Sequence, residues 1–311
     1  MYKMASIYIL IVYECVINIE FNKTEANMFK ILNKKNITQD VYIIKIYAPR
    51  VAKSILPGQF VIVRVDEKGE RTPFPVCGFD VEDGSVSIVF KTTGITGSDL
   101  IKLSVGDNIQ DFVGPIGHAS PLIDKVNTLK NVLFVADDLG FARIFTEVFW
   151  LNKNNITSDA IISFDTTDVE YRDKIGSVCR DLIEVQSDIS DISSEVIKKL
   201  EGNINYDIVV AIGSTPMMRE VAKITKNKNI QSIVSLTTLI LDGTGMCGAC
   251  RLTIGGEVKF VCQDGPEFDA HLVDYDEVLR RQKLYSTYEA KEKFRLENGK
   301  ETEAATGLEV E

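Results

Sequence analysis

The stretch Asp242-Gly-Thr-Gly-Met-Cys247-Gly-Ala-Cys250, with Cys262 beyond it, constrains this chain more than any other. It sets a carboxylate and three of the six cysteines in a D-x4-C-x2-C-x11-C pattern. That is the C-x4-C-x2-C…C spacing of a plant-type 2Fe-2S site with aspartate in place of the first cysteine. Glycine-rich spacers let a backbone curl round a small inorganic core, and Gly243, Gly245 and Gly248 reach positive φ without a Cβ penalty. Gly255-Gly256 reads as the turn of a hairpin that returns Cys262 to the loop. Two other readings stand beside this one: a zinc site, which accepts Cys and Asp tetrahedrally, and three unrelated buried cysteines. Zinc ribbons are usually built from two C-x2-C knuckles, and only one is present. Unrelated cysteines rarely fall at this spacing among glycines. The ligand set read here is therefore Asp242, Cys247, Cys250 and Cys262 on a 2Fe-2S cluster. Cys15, Cys77 and Cys179 lie in apolar or strand-like contexts, where cysteine behaves as a small hydrophobe.

At 311 residues the chain has room for two domains and a small module. A net charge of −10 with dispersed Lys and Arg argues against nucleic acid as a partner. Thiolates kept for a cluster imply a reducing compartment, which points to the cytoplasm. Ile7 to Ile19 is mostly apolar but interrupted by Glu14; it is too short to span a bilayer, and no small-residue cleavage site follows. No membrane association is expected. Residues 1–27 read as an extra segment upstream of a start at Met28, and residues 286–311 as a charged tail.

From 28 to 125 the signal is β. Val41-Tyr-Ile-Ile-Lys-Ile-Tyr47, Phe60-Val-Ile-Val-Arg-Val65 and Val86-Ser-Ile-Val-Phe90 are β-branched and aromatic runs between Pro57-Gly58, Asp83-Gly84 and Gly106-Asp107 turns, the pattern of a small closed barrel. From 126 to 236 strands alternate with helices. Strands are expected at Asn131–Ala136, Ala160–Phe164, Tyr206–Ile212 and Ile230–Leu236. Helices are expected at Phe141–Asn152, at Ser194–Glu201 and from Pro216. This is the rhythm of a doubly wound parallel sheet. Residues 237–285 form the cysteine module. His271 in the segment after it reads as structural.

These residues resemble the ferredoxin-NADP reductase superfamily, most closely the small subunits of NADH-dependent ferredoxin:NADP oxidoreductases, also called sulfide dehydrogenases. The electron-transfer subunits of dihydroorotate dehydrogenase are more distant relatives. The resemblance rests on Ala48-Pro-Arg-Val-Ala-Lys53, Pro57-Gly-Gln-Phe-Val-Ile-Val63, Asp111-Phe-Val-Gly-Pro-Ile-Gly117, the cysteine loop and Asp264-Gly-Pro-Glu-Phe-Asp269. It implies a flavin-binding β-barrel, an α/β nucleotide-binding domain and a C-terminal iron–sulfur module. By the same resemblance FAD lies on Arg71, Pro73 and Phe74 and on the turn Gly94, Thr96, Gly97 and Ser98, and NAD(P)H on Gly140, Ala142 and Gly213. The aspartate ligand marks the bifurcating small subunits.

Three positions depart from the family pattern. Pro75 replaces a Ser or Thr whose hydroxyl lies near the reactive flavin nitrogen, Gly97 replaces a Thr, and the nucleotide loop G-G-G-x-G-x-A-P reads Ala136-Asp-Asp-Leu-Gly-Phe-Ala-Arg143. Asp137 and Asp138 oppose an anion there, at about 4 kcal/mol per like-charge contact of about 4 Å at an effective dielectric of about 20. Solvent exposure or helix capping would relieve them.

The function implied is electron transfer between NAD(P)H, FAD and a 2Fe-2S cluster, as one half of a heterodimer with an iron–sulfur flavoprotein large subunit. The alternative is a non-catalytic relay or structural subunit whose nucleotide site has degenerated.

Overall fold

Apolar residues on both faces make the first strands into walls shared by two cores. In β2 (Val41–Tyr47), Ile44 and Ile46 enter the barrel core while Val41 and Ile43 enter the core of the neighbouring domain. β5 (Ser85–Lys91) repeats the division, with Val86, Ile88 and Phe90 inward and Val89 outward. The computed structural model describes residues 29–284 apart from 93, 138, 164–168 and 187, and also residues 286 and 291. The segment expected at 1–27, nearly all of the tail, Cys15 and Asp138 lie outside the described residues.

The barrel consists of β1 (Ile31–Asn36), β2, β3 (Phe60–Arg64), β4 (Thr72–Asp80), β5 and β6 (Asp111–Ile116), all antiparallel in the order β1-β2-β5-β4-β3-β6. Its ends meet: Lys30 bridges to Asn108, the Ile31 N–H donates to the Asp107 carbonyl at 2.8 Å, and Ile109 N–H to Phe29 carbonyl at 3.0 Å. Closure removes the free edges of the sheet. Helices α1 (Pro49–Ser54) and α2 (Ile95–Leu100) occupy two connections, α1 with proline at its first position, where no N–H is needed.

The second sheet is built from near-continuous apolar runs, as strands covered on both faces require. It contains β7 (Asn131–Ala136), β8 (Thr157–Ser163), β9 (Asp181–Val185), β10 (Ile208–Ile212) and β11 (Gln231–Ser235), all parallel, in the order β11-β10-β7-β8-β9. Helices α4 (Gly140–Lys153), α5 (Val169–Gly176), α6 (Ile189–Glu201) and α7 (Thr215–Asn227) connect these strands, and the short α3 (Pro121–Asp124) leads in from the barrel. β9 escapes a sequence reading because it is a short, half-exposed edge strand that mixes Asp and Glu with its apolar residues, and the mostly polar α5 before it escapes as well. α6 starts five residues before the expected Ser194, because the Asp188 side chain accepts the Ser190 N–H at 2.8 Å and caps it.

Beyond β11 come the cysteine loop, the hairpin β12 (Arg251–Ile254) and β13 (Glu257–Phe260), and α8 (Val261–Asp264). The hairpin turns on Gly255 and Gly256 at φ 61° and 84°, which only glycine adopts freely at two successive positions. β14 (Glu267–Asp269) then adds antiparallel to β11 as the outermost strand of the parallel sheet, and α9 (Tyr275–Gln282) packs beside α7. The module has no core of its own. Cys250, Leu252, Val261, Cys262 and Phe268 belong to the same apolar cluster as Leu133, Val209 and Met217. Among the described residues no helix is long and apolar enough to cross a membrane.

Candidate functional site: the cysteine loop, the interdomain cleft and the switch point

The loop between β11 and β12 is held in a curl by glycine. Gly243, Gly245 and Gly248 stand at φ 71°, 82° and 65°. At Gly243 a Cβ would also come within 2.7 Å of Ile62 Cδ1, so the loop lies directly against β3 of the barrel. Asp242 organises the curl by accepting the Thr244 N–H at 2.9 Å and the Cys247 N–H at 2.8 Å. These bonds, Thr244 first, hold its carboxyl below the usual range. Gln263 Nε2 donates to the Gly243 carbonyl at 2.7 Å and ties α8 to the loop.

Cys250 and Cys262 are buried with their sulfurs 3.3 Å apart, while Cys247 is exposed beside Asp242. Burial, and then the neighbouring Cys250 thiol, pushes the Cys262 thiol up to about 12. Two thiolates on one tetrahedral metal with bonds of about 2.3 Å lie roughly 3.8 Å apart, a small opening from what is seen. No three His, Cys, Asp or Glu side chains among the described residues converge as ligands of a single ion. The four expected ligands instead fall into two pairs, Cys250 with Cys262 and Asp242 with Cys247. That is the division a two-iron core uses, and it fits a 2Fe-2S cluster better than a lone zinc.

The second feature is a cleft between the barrel and the α/β domain. Its barrel wall is Phe60 and Pro73 to Val76, and its other wall includes Arg143 and Glu147 of α4. The mostly apolar lining suits the face of a planar aromatic ligand. Of the expected flavin residues, Pro73 and Phe74 line this cleft, and Thr96 is joined to the start of β4 by a 2.8 Å hydrogen bond between its Oγ1 and Thr72 Oγ1. Pro73, Phe74 and Pro75 lie on β4 opposite Ile62, Val61 and Phe60. Arg71 is 58% exposed, with only a long 3.6 Å pairing to Asp111, whose firmer partner is Arg64 at 2.7 Å. The stretch Gly94–Ser98 differs from the expected open turn: it is the start of α2, and the Ser98 N–H is taken by the Gly94 carbonyl at 2.9 Å. A Cβ on Gly97 would meet the Lys91 carbonyl at 2.1 Å, which accounts for glycine at that position.

The cleft also holds charge that sequence reasoning missed. Glu147 and Glu267 are 2% and 7% exposed, and each leaves one carboxyl oxygen without a hydrogen-bond partner. Ser120 Oγ donates to the other Glu267 oxygen at 2.7 Å, and Arg143 donates to Ser235 Oγ. Burial first, and the charge of Glu267 second, raise the Glu147 carboxyl well above its ordinary range. The available signal was Glu147 on the buried stripe of α4, among Ile144, Val148 and Leu151 and four residues after Arg143.

A consequence is measurable. The folded state keeps a proton on Glu147 that the unfolded chain releases near pH 4.3, so this group's stabilising contribution falls as pH rises above about 4.3 toward the raised folded value. Glu147→Gln is expected to remove that loss and stabilise the protein at neutral pH by about 1–3 kcal/mol. Thermal unfolding of both proteins between about pH 4 and pH 8 checks it. The two curves should converge toward the acid end.

The third feature is the point where the parallel sheet reverses its winding, between β7 and β10. Gly140 opens α4 there, and a Cβ on it would lie 1.8 Å from the Ile212 carbonyl oxygen. Ala142 is fully buried behind it, and Gly213 ends β10. Asp137 neither faces solvent freely nor caps α4. Its carboxylate accepts the Ser214 N–H at 2.6 Å and the Ser214 hydroxyl at 2.5 Å. His271, read as structural, has Nε2 2.9 Å from Thr225 Oγ1.

Residues 237–274 match the family described as the iron–sulfur cluster binding domain of dihydroorotate dehydrogenase B. An uncharacterised protein in the adh 3′ region of Clostridium beijerinckii is 43% identical over 88% of this chain and 95% of its own length. A dihydroorotate dehydrogenase B (NAD(+)) electron transfer subunit homologue of Thermotoga maritima is 35% identical over 84% of this chain and 92% of its own. Among solved structures, a chain of NADH-dependent reduced ferredoxin-NADP oxidoreductase, studied for flavin-based electron bifurcation, superposes with a TM-score of 0.77 at 32% identity. The match covers 86% of this chain and 98% of that one. The ferredoxin-NADP+ reductase of Plasmodium falciparum shares the fold at a TM-score of 0.54 and 15% identity.

Proposed function

This chain belongs to the family of dihydroorotate dehydrogenase B electron-transfer subunits and their homologues, and we propose that it carries electrons between a pyridine nucleotide, FAD and a 2Fe-2S cluster. It is an electron-transfer subunit of a flavin-dependent oxidoreductase, and its partner is a large flavoprotein subunit. Asp242, Cys247, Cys250 and Cys262 would hold the cluster. Arg71, Pro73, Phe74 and Thr96 would hold FAD, the exposed Arg71 guanidinium being suited to fork two phosphate oxygens. Gly140, Ala142 and Gly213 would border the nucleotide. When bound, the flavin exchanges electrons in pairs and the cluster exchanges them singly.

The observation that carries this reading is that one loop serves both sites. Its first residues, Thr237, Thr238 and Ile240, line the interdomain cleft, and its continuation from Asp242 to Cys250 bears three of the four expected cluster ligands. Gly243 approaches Ile62 and Ile116 of the barrel at 2.7 and 3.0 Å (as measured to an ideal Cβ), so no other layer of protein separates loop from barrel wall. The chain's contribution is therefore positional: it sets the two sites side by side on one face of β3, where Phe60 lines the cleft and Ile62 meets the loop, and it lines the cleft with apolar side chains that exclude water. A reducing, cytoplasmic setting goes with this reading, because cysteines that ligate a cluster must stay as thiolates.

The visible spectrum of anaerobically purified protein, recorded before and after NADH and then NADPH, tests the proposal. A combined flavin and cluster spectrum that bleaches with either nucleotide is expected. A cluster spectrum that ignores both nucleotides and bleaches only with dithionite would leave a relay subunit without a nucleotide gate.

A further inference from the structure

In open α/β sheets, ligands enter the crevice outside the carboxyl ends of the strands where the winding reverses. Here that crevice lies between β7 and β10, and a side chain of the protein itself sits in it. Asp137 follows β7, yet its carboxylate reaches across to the residue that caps α7, with Oδ1 on the Ser214 N–H at 2.6 Å and Oδ2 on the Ser214 hydroxyl at 2.5 Å. The carboxylate is pressed onto Gly213: an ideal Cβ there would lie 1.8 Å from Asp137 Oδ1. Below it the walls already touch, since a Cβ on Gly140 would lie 1.8 Å from the Ile212 carbonyl oxygen and the Gly140 N–H donates to the Asp137 carbonyl at 2.8 Å.

We infer that Asp137 is an internal latch across this crevice, its carboxylate occupying the donors that a phosphate of a pyridine nucleotide would otherwise take, so that nucleotide affinity is set by the displacement of this one side chain. The inference rests on the nucleotide role proposed above and names its regulation. A carboxylate that accepts both an amide and a hydroxyl proton makes two charge-assisted bonds, the stronger class of hydrogen bond. It also offsets the positive end of α7, a helix of 13 residues. An incoming phosphate meets a negative charge instead of free donors, and must either push Asp137 aside or bind elsewhere.

The test is calorimetric titration of the full-length, cluster-loaded protein with NADH, NADPH and inorganic pyrophosphate. Wild type is compared with Asp137→Asn and Asp137→Gly. Asparagine keeps the shape and removes the charge; glycine removes both. The latch predicts that each variant binds NADH or NADPH at least about tenfold more tightly than wild type, a change of about 1.4 kcal/mol. Pyrophosphate should gain in the same direction. A melting temperature and visible spectrum recorded on each variant confirm that it is folded and loaded. Unchanged affinities in folded variants would overturn the latch. Weaker binding in Asp137→Asn would overturn it too, by making Asp137 a ligand of the nucleotide, for example of a ribose hydroxyl. Failure of the proposed function reads differently: nucleotides would bind and respond to the substitutions, yet no variant's spectrum would bleach.

Discussion

Cys262→Ser is expected to abolish the iron–sulfur chromophore and, with it, every single-electron transfer out of this chain, while Asp242→Cys is expected to keep the chromophore and change its reduction potential. The difference follows from where the two ligands sit. Cys262 is fully buried in the largest apolar cluster, 3.3 Å from the Cys250 sulfur, on a helix that Gln263 ties to the loop. Serine there offers a poor ligand to iron and places a hydroxyl among apolar side chains, a penalty of about 1–3 kcal/mol if unpaired. Asp242 lies half-buried at the rim, outside the apolar cluster, and accepts the backbone N–H groups of Thr244 and Cys247, so a thiolate can take its place without disturbing the core. Iron content, the visible spectrum and a dithionite titration of the two variants decide it. A cluster retained in Cys262→Ser, or an unchanged potential in Asp242→Cys, would remove the corresponding residue from the ligand set.

The second large effect is on stability. Asp159→Asn is expected to destabilise the fold by about 3–5 kcal/mol, a large share of the roughly 5–15 kcal/mol that holds a typical domain together. Asp159 is completely buried on β8 and paired by Arg180 through both oxygens, at 3.0 and 2.7 Å. Tyr206 also donates to it, and Lys199 stands 3.6 Å away. Removing the carboxylate strands a guanidinium and a phenol that were placed to meet it, while Lys199 keeps Asp181 at 2.5 Å. Burial alone would raise the Asp159 carboxyl, but the hydrogen bonds from Arg180 and Tyr206 and the charge of Lys199 outweigh it and lower the group below its usual range. Its stabilisation is therefore fully present above about pH 4, the ordinary aspartate range, and is lost as pH falls through the lowered folded value. Urea unfolding at neutral pH measures the first effect. Wild-type acid unfolding, absent or blunted in the variant, measures the second.

Sequence reasoning reaches as far as interactions that are local along the chain. The cysteine spacing, the glycines at positive φ and the Gly255-Gly256 hairpin each involve residues within about twenty positions, so their geometry is written into neighbouring residue types. The same holds for the barrel strands, whose alternation sorts Ile44 and Ile46 from Val41 and Ile43, and for the apolar runs of β7 and β10. An edge strand such as β9, half exposed and rich in acids, carries no such local mark.

What the chain by itself determined is a barrel, a doubly wound sheet and a glycine-rich loop that carries the expected cluster ligands. Only the tertiary structure decided which distant groups meet. Ser120 and Glu267 are 147 positions apart, and Asp137 and Ser214 are 77. β14 joins the edge of the parallel sheet although it follows the cysteine module in sequence. Such pairings depend on how whole elements pack once their apolar faces are buried. Burial drives that packing without specifying polar partners, so a carboxylate in a crevice or a charged pair in a cleft comes into view only when the layers are assembled.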